Sequence, residues 1–204
     1  LDGDGTSGDA NNTFTDSSTN GFTVTKNGDV VQGSFSPYGD NWSNYFASGA
    51  NVLKVTDSAD FDLGTTWTVE AWIFPNAANG SKIFGTRNGS GNMWELLIYT
   101  SAGNFAFEGY GANNTSGPKL SSSTFELGQW YHVAVVTSSS ATKLYVDGVL
   151  EINYSNSLTW STAYGPWIGG TSAFSEYAFD GYVSNLRVVK GTAVYTSEFT
   201  PPTE

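Results

Sequence analysis

The residue types that could carry chemistry are few. The chain has one histidine, His132, between Tyr131 and Val133. A catalytic histidine needs a nucleophile or a carboxylate within hydrogen-bond reach. The sequence names no such partner, so His132 reads as structural, its ring bonded to a backbone carbonyl or a neighbouring side chain. The carboxylates come next. Retaining glycan hydrolysis uses an acid and a nucleophile about 5 Å apart, and alternate residues of a strand share a face. None of Glu70, Glu95, Glu108, Glu126, Glu151, Glu176 and Glu198 has an acid two residues on. Glu70, between Val69 and Ala71, could face a groove alone. Lyase chemistry on acidic sugars would want a basic cleft, and the chain has only eight Lys and Arg. These counts argue against an enzyme.

Two other groups could bind. The N-terminal order Asp2, Asp4, Asp9, Asn11, Asn12, Asp16 is rich in oxygen donors, which calcium takes in numbers. Asp2-Gly3-Asp4-Gly5-Thr6 opens like an EF-hand loop, but no Glu stands at the twelfth position and the glycine spacing fails. The competing reading is a solvated loop whose Asp and Asn cap turns. The second group is aromatic. Tyr110 in GYGANNTSG, Trp160 and Tyr164 in LTWSTAYG, and Phe174 and Tyr177 in TSAFSEYAF lie in loop-like segments, with Asn113 and Asn114 as amides. Sugar sites stack rings on such side chains and bond the hydroxyls with amides. The competing reading is that these rings cover the edges of the fold. Aromatics of central strands are expected to fill the core.

The segment 129–150 positions these residues. Trp130, Ala134 and Val136 alternate with Tyr131, Val133 and Val135, so both faces are apolar and the strand lies centrally. Asp147-Gly148 is a hairpin turn between the strands 143–146 and 149–154. Further strands are read at 22–25, 45–46, 52–55, 67–74, 81–87, 94–100, 104–108, 166–168 and 179–189. Asn27-Gly28 signals a type I′ turn leading to a return strand at Val30-Val31, and Tyr45-Phe46 pairs with 52–55 around Gly49. The one plausible helical turn is 58–63, and no segment holds a helical period. Many short strands with Gly-rich turns make an all-β sandwich or barrel.

Composition bounds the rest. With 204 residues and no linker-like interior, the chain reads as one domain, 1–204, with 200–204 starting a linker at Pro201-Pro202. Hydrophobic residues make 39% and aromatics 15%, enough to fill the gap of roughly 10 Å between two sheets. The net charge of −11 opposes nucleic acid and anionic membrane as partners. Without cysteine there are no disulfides or zinc thiolates. No apolar run is long enough to span a membrane. No signal-peptide pattern follows Leu1, and the chain reads as a module of a longer polypeptide.

Trp130-Tyr131-His132-Val133-Ala134 followed by Leu144-Tyr145-Val146-Asp147-Gly148 resembles the laminin-G-like, concanavalin A-like jelly rolls. The strand 67–73, the turn Ile168-Gly169-Gly170 and the closing strand 179–188 fit that family. The segments 14–18 and 190–196 are similar to the variant repeated in long structural proteins of bacteriophages, especially marine ones. The resemblance implies a two-sheet antiparallel jelly roll and a structural histidine in the His132 strand. The absence of the disulfide common in animal members implies a prokaryotic or viral relative. Glucan-hydrolysing relatives carry E-x-D-x-x-E on one strand, a pattern missing here. Bacterial relatives hold a structural calcium between an F-x-D-S-S-G-N segment and a D-E pair in the closing strand. Asp16 matches the first, with Asp4 and Asn20 as further ligands. Ser184 and Asn185 replace the pair, which leaves Asn185 as the closing-strand ligand.

The function expected from this reading is a non-catalytic carbohydrate-binding and adhesion module of a phage tail, fibre or capsid, at the virion surface or outside the cell. Its partners would be host-surface glycans or other phage structural proteins, within a longer polypeptide acting in repeats or as an oligomer. The ligand residues would be Tyr110, Asn113, Asn114, Trp160 and Tyr164. The alternative is a spacer or decoration domain with no ligand, and a glycan-cleaving enzyme fits least.

Overall fold

A computed structural model describes residues 13–39, 42–78, 81–86, 93–98, 103–113, 115–160, 164–170 and 178–203. In chain order the strands are β1 (Val24–Asn27), β2 (Val31–Gly33), β3 (Ser43–Phe46), β4 (Val52–Val55), β5 (Trp67–Pro75), β6 (Ser81–Gly85), β7 (Met93–Ile98), β8 (Phe105–Tyr110), β9 (Lys119–Leu120), β10 (Tyr131–Thr137), β11 (Thr142–Val146), β12 (Val149–Tyr154), β13 (Trp167–Ile168) and β14 (Gly181–Lys190). Among the described residues they form two seven-stranded antiparallel sheets, ordered β1-β4-β13-β6-β7-β8-β9 and β12-β11-β10-β5-β14-β3-β2. The all-β sandwich expected from the short strands is the fold. Helix is limited to two 3-10 turns among the described residues. One is Ala59–Phe61, inside the expected turn and capped by the Ser58 side chain. The other, Gly111–Asn113, was not expected.

The core lies between the sheets, where the fully buried Trp67, Trp94 and Trp160 meet. β10 is buried along its whole length, between β5 and β11. Tyr131, Val133 and Val135 face the core. Ala134 and Val136 face outward with Tyr145, under a cover made by Ala193, Tyr195 and Phe199. The C-terminal segment thus straps the outer face of the second sheet. Thr192 and Val194 bond the Thr68 hydroxyl, Phe199 donates its amide to the Gly148 carbonyl, and Trp72 Nε1 donates to the Pro202 carbonyl at 3.1 Å.

Two pairings differ from the sequence reading. Asn27-Gly28 does not close a hairpin, because β1 pairs with β4 in one sheet while β2 pairs with β3 in the other. Gly28 has φ +74°, and a Cβ there would overlap Asn51, whose side chain accepts from the Asp29 amide. The turn therefore carries the chain between layers, with Val30 buried in the crossing. β3 and β4 likewise part to different sheets around Gly49. Asp147-Gly148 behaves as read: β11 and β12 pair through Val146 and Val149, with φ +49° and +79° at the turn.

Gly148 yields a prediction. A Cβ there would overlap the Phe199 carbonyl of the strap, and the positive φ strains any L residue. Gly148→Ala is expected to cost about 2 kcal/mol. Thermal melting checks it, with an unchanged midpoint as the contrary result.

Candidate functional site

A cavity of about 940 Å³ opens between the loop 16–22 and the C-terminal part of β14. It collects residues that the sequence left scattered: Asp16 and Asn20 from the loop, Glu70 and Trp72 from β5, His132 from β10, and Asn185 and Arg187 from β14. Strand geometry explains the gathering. Alternation puts Glu70 and Trp72 on the outer face of β5, opposite Val69 and Ala71 in the core. In β14 the register slips between Ser184↔Trp72 and Arg187↔Glu70, and the bulge holds Asn185 at φ +49°. The bulge turns Arg187 outward beside Glu70 and leaves Asn185 at the cavity.

Glu70 is 3% exposed yet fully engaged. Its Oε1 accepts from Arg187 Nε at 2.6 Å, with Arg187 Nη2 also in contact. Its Oε2 accepts from the Tyr195 hydroxyl at 2.6 Å and meets His132 Nε2 at 3.1 Å. Burial alone would raise this carboxyl's pKa. The hydrogen bonds from His132, Tyr195 and Arg187, with the Arg187 charge, outweigh it and hold the group below the ordinary glutamate range. Burial and the Glu70 carboxylate push the Tyr195 hydroxyl up.

His132 thus has the carboxylate partner that sequence could not show. Its ring is 1% exposed and packed by Trp72, Tyr195 and Phe199. With Nε2–H assigned to Glu70, Nδ1 has no hydrogen-bond partner among the described residues. The ring is thus enclosed between the sheet and the strap, at the wall of the cavity. It joins the strap to the sheet.

At the other rim, Asp16 Oδ1 accepts the Ser18 amide at 3.0 Å, and Oδ2 accepts the Ser18 hydroxyl and the Phe22 amide, each at 2.8 Å. Burial opposes ionisation, but these bonds prevail and its carboxyl titrates below the ordinary aspartate range. Asn20 is exposed beside it, and Asn185 Nδ2 donates to the Tyr38 hydroxyl. The Tyr38 ring stands edge-on to Trp72, centroids 5.6 Å apart. Among the described residues no three His, Cys, Asp or Glu side chains gather as a metal cage. Asp4 lies outside the described residues.

The aromatic candidates fall elsewhere. Trp160 is fully buried against Phe61, Trp67 and Trp94, so its ring is core and offers no stacking surface. The backbone bridge Gly64↔Trp160 draws this loop residue inward. Both ends of the Asn113 amide are taken by Thr159, at 2.7 Å each. Tyr164 is 38% exposed and is not part of the cavity lining, although Pro166 two residues on is. Asn114, Phe174 and Tyr177 lie outside the described residues. The Tyr110 hydroxyl bonds Glu95 Oε1 at 2.7 Å and Glu108 Oε2 at 2.9 Å. Glu95 and Glu108 are register partners on β7 and β8, a pairing invisible to a search along one strand. Glu95 is 1% exposed and paired with Lys82 at 3.2 Å.

Trp72, Tyr38 and Arg187 were not singled out by sequence. In β5 both alternating sets carry aromatics, which hid the outward one.

The family model described as the concanavalin A-like lectin/glucanases superfamily matches residues 47–194. No curated protein sequence matches the chain. Among solved structures, the chain is similar to domain 4 of the extracellular arabinanase AbnA of Geobacillus stearothermophilus, solved with arabinotriose. Identity there is 18%, coverage 90% of this chain and 89% of that one, and TM-score 0.68. It is also similar to the SAP-like pentraxin of Limulus polyphemus, with 22% identity, 72% and 74% coverage and TM-score 0.55. The binding domain of botulinum neurotoxin DC, solved with a sialylated ligand, matches at 14% identity over 92% of this chain and 46% of that one, TM-score 0.61.

Proposed function

We propose that this chain, which belongs to the concanavalin A-like lectin/glucanases superfamily, is a non-catalytic module that binds a neutral glycan in the Glu70–Asn185 cavity. The observation that carries the reading is the cavity, whose lining combines the rings of Trp72 and Tyr38 with the polar groups of Asp16, Asn20, Asn185 and Arg187. Sugar recognition wants an apolar wall with a few convergent hydrogen-bonding groups. Arg187 is matched by Glu70 and the net charge is −11, so an anionic glycan is disfavoured. Structures solved with arabinotriose and with a sialylated ligand share the fold and support a glycan partner by analogy. The phage-like segments 14–18 and 190–196 support a finer reading, an adhesion module on a virion tail, fibre or capsid within a longer polypeptide.

A glycan array with and without calcium tests this, followed by Tyr38→Ala and Asn20→Ala on each glycan retained. Each variant is expected to weaken binding by about 1 kcal/mol or more while the fold melts normally. Retained glycans whose binding neither variant alters would place the site elsewhere. An array with no hits would favour a spacer or decoration domain. That second reading has its own observation, since Glu70 is wholly committed to the fold. Reducing-end assays on laminarin, arabinan and agarose are expected to show no turnover. Release that survives repurification and disappears in Glu70→Gln or Glu95→Gln would contradict the non-catalytic reading.

Calcium is part of the same proposal. Asp16 offers one carboxylate and Asn20 and Asn185 offer amides at the same cavity. Calcium takes about six to eight oxygens, so backbone, water and glycan hydroxyls would complete the set. Millimolar calcium is expected to raise the melting temperature over EDTA in the parent protein and not in Asp16→Ala. Equal midpoints throughout would remove the ion.

A further inference from the structure

We propose that the part of the second sheet's outer face left open by the strap is a ring platform for a linear neutral polysaccharide, extending the cavity. This rests on the carbohydrate-binding reading above.

The platform is a row that crosses the strands. Val31 on β2 is the register partner of Tyr45 on β3, which partners Tyr182 on β14, which partners Phe74 on β5. Trp130, immediately before β10, continues the row with its ring 5.5 Å from Phe74. Tyr45 and Tyr182 are 4.8 Å apart, centroid to centroid, and Phe74 and Tyr182 are 5.8 Å apart. Neighbouring strands lie about 4.8 Å apart, so a row crossing five of them is about 19 Å long.

The outer face of an antiparallel sheet is ordinarily polar where it meets water. This sheet departs from that rule on both halves. On one half the strap covers the apolar residues Ala134, Val136 and Tyr145. On the other, the Phe35 ring, 44% exposed, packs edge-on against Phe74 and Tyr182, centroids 4.9 and 4.8 Å away, and tilted against Trp130 at 5.3 Å. Val31, at the end of the row, is 39% exposed. The Ser43 hydroxyl holds the Phe35 carbonyl, so the ring is presented by an anchored segment.

Three features choose the occupant. First, half-buried tyrosines offer both a ring face and a hydroxyl, matching the two faces of a sugar. Second, the rim is polar and acidic: Asn76 Nδ2 donates to Asp180 Oδ1 at 3.1 Å. Asp180 lies close enough that its charge, after burial, pushes the Tyr45 hydroxyl's pKa up. A carboxylate there repels an anionic polymer and accepts from the hydroxyls of a neutral one. Third, the row leads into the cavity. Phe74 follows Trp72 on the same face of β5, and Tyr38 belongs to the loop that carries Phe35. A ligand that fills the cavity and lies on the row is longer than one sugar.

The test is calorimetry with a chain-length series, laminari- and arabino-oligosaccharides from dimer to hexamer, on the parent protein, Phe35→Ser and Val31→Lys. Both substitutions are at exposed positions outside the core, and melting curves check their folding. Affinity is expected to rise about tenfold or more along the series, a gain that both variants erase while dimer binding is kept. Binding without a length gain, or a gain that neither variant touches, overturns the platform and leaves the cavity reading standing. Absence of binding by every oligomer removes both. A dimer in sedimentation that Phe35→Ser dissociates would make the row a contact between copies, and also overturns the platform.

Discussion

Replacing Glu70 with alanine is expected to destabilise the protein by about 3–5 kcal/mol. The carboxylate is 3% exposed and is shared by Arg187, Tyr195 and His132. Its removal leaves a guanidinium, a hydroxyl and an imidazole turned toward an empty space. Arg187, with its side chain 56% exposed, can turn to water, but His132 and its packed neighbours cannot. The strap also loses the bond that ties Tyr195 to β5, so its cover over Ala134, Val136 and Tyr145 loosens. Denaturant melting of Glu70→Ala and Glu70→Gln measures this, and a loss under 1 kcal/mol in both would show that the network adds little.

The same network sets an acid dependence. Glu70 and Asp16 titrate below their ordinary ranges in the folded protein. The unfolded chain therefore binds protons more readily. Their contribution is complete above the ordinary carboxylate range, about pH 4–4.5, and is lost as pH falls through the lowered values. Stability should fall with acid below that range, and less steeply in Glu70→Ala. Parallel curves would assign the acid response to other groups.

Trp160→Ala is expected to cost about 3–5 kcal/mol, as for a large ring deleted from a packed core. Trp160 is fully buried, stacked on Phe61 at 5.9 Å and edge-on to Trp67 at 5.7 Å. Its backbone also closes the bridge to Gly64, which a smaller side chain would leave in place. The loss should therefore be one of packing, with sugar affinity unchanged in the protein that remains folded. A surface stacking residue would behave in the opposite way, weakening binding at an unchanged melting temperature. That outcome would return Trp160 to the ligand set.

These residues show what sequence can and cannot reveal. The strand class was legible because short β-branched and aromatic runs sit between glycines, and Asp147-Gly148 closes its hairpin as turn chemistry demands. Asn27-Gly28 carries an equally good signal yet links two sheets. Turn chemistry sets a local φ and leaves open which strand the chain joins afterwards. The central place of β10 was legible from its two apolar faces, but not that a C-terminal strap covers one of them. His132, Glu70, Asp16 and Asn185 could each be picked out by type, whereas their meeting at one cavity depends on the β14 bulge. Trp160 and the outward Trp72 carry the same composition signal. A bridge buries one and strand parity exposes the other to the cavity.

A neutral glycan is expected to bind in the cavity between loop 16–22 and β14. Titration of isotope-labelled protein with arabino- and laminari-oligosaccharides, followed by amide and indole chemical shifts, tests it most directly. Shifts are expected at the Asn20 and Asn185 side-chain amides and the Trp72 indole, with the Tyr110 backbone amide undisturbed. Shifts centred on Tyr164 and Tyr110 with the cavity silent, or no shifts with any oligosaccharide, would contradict it.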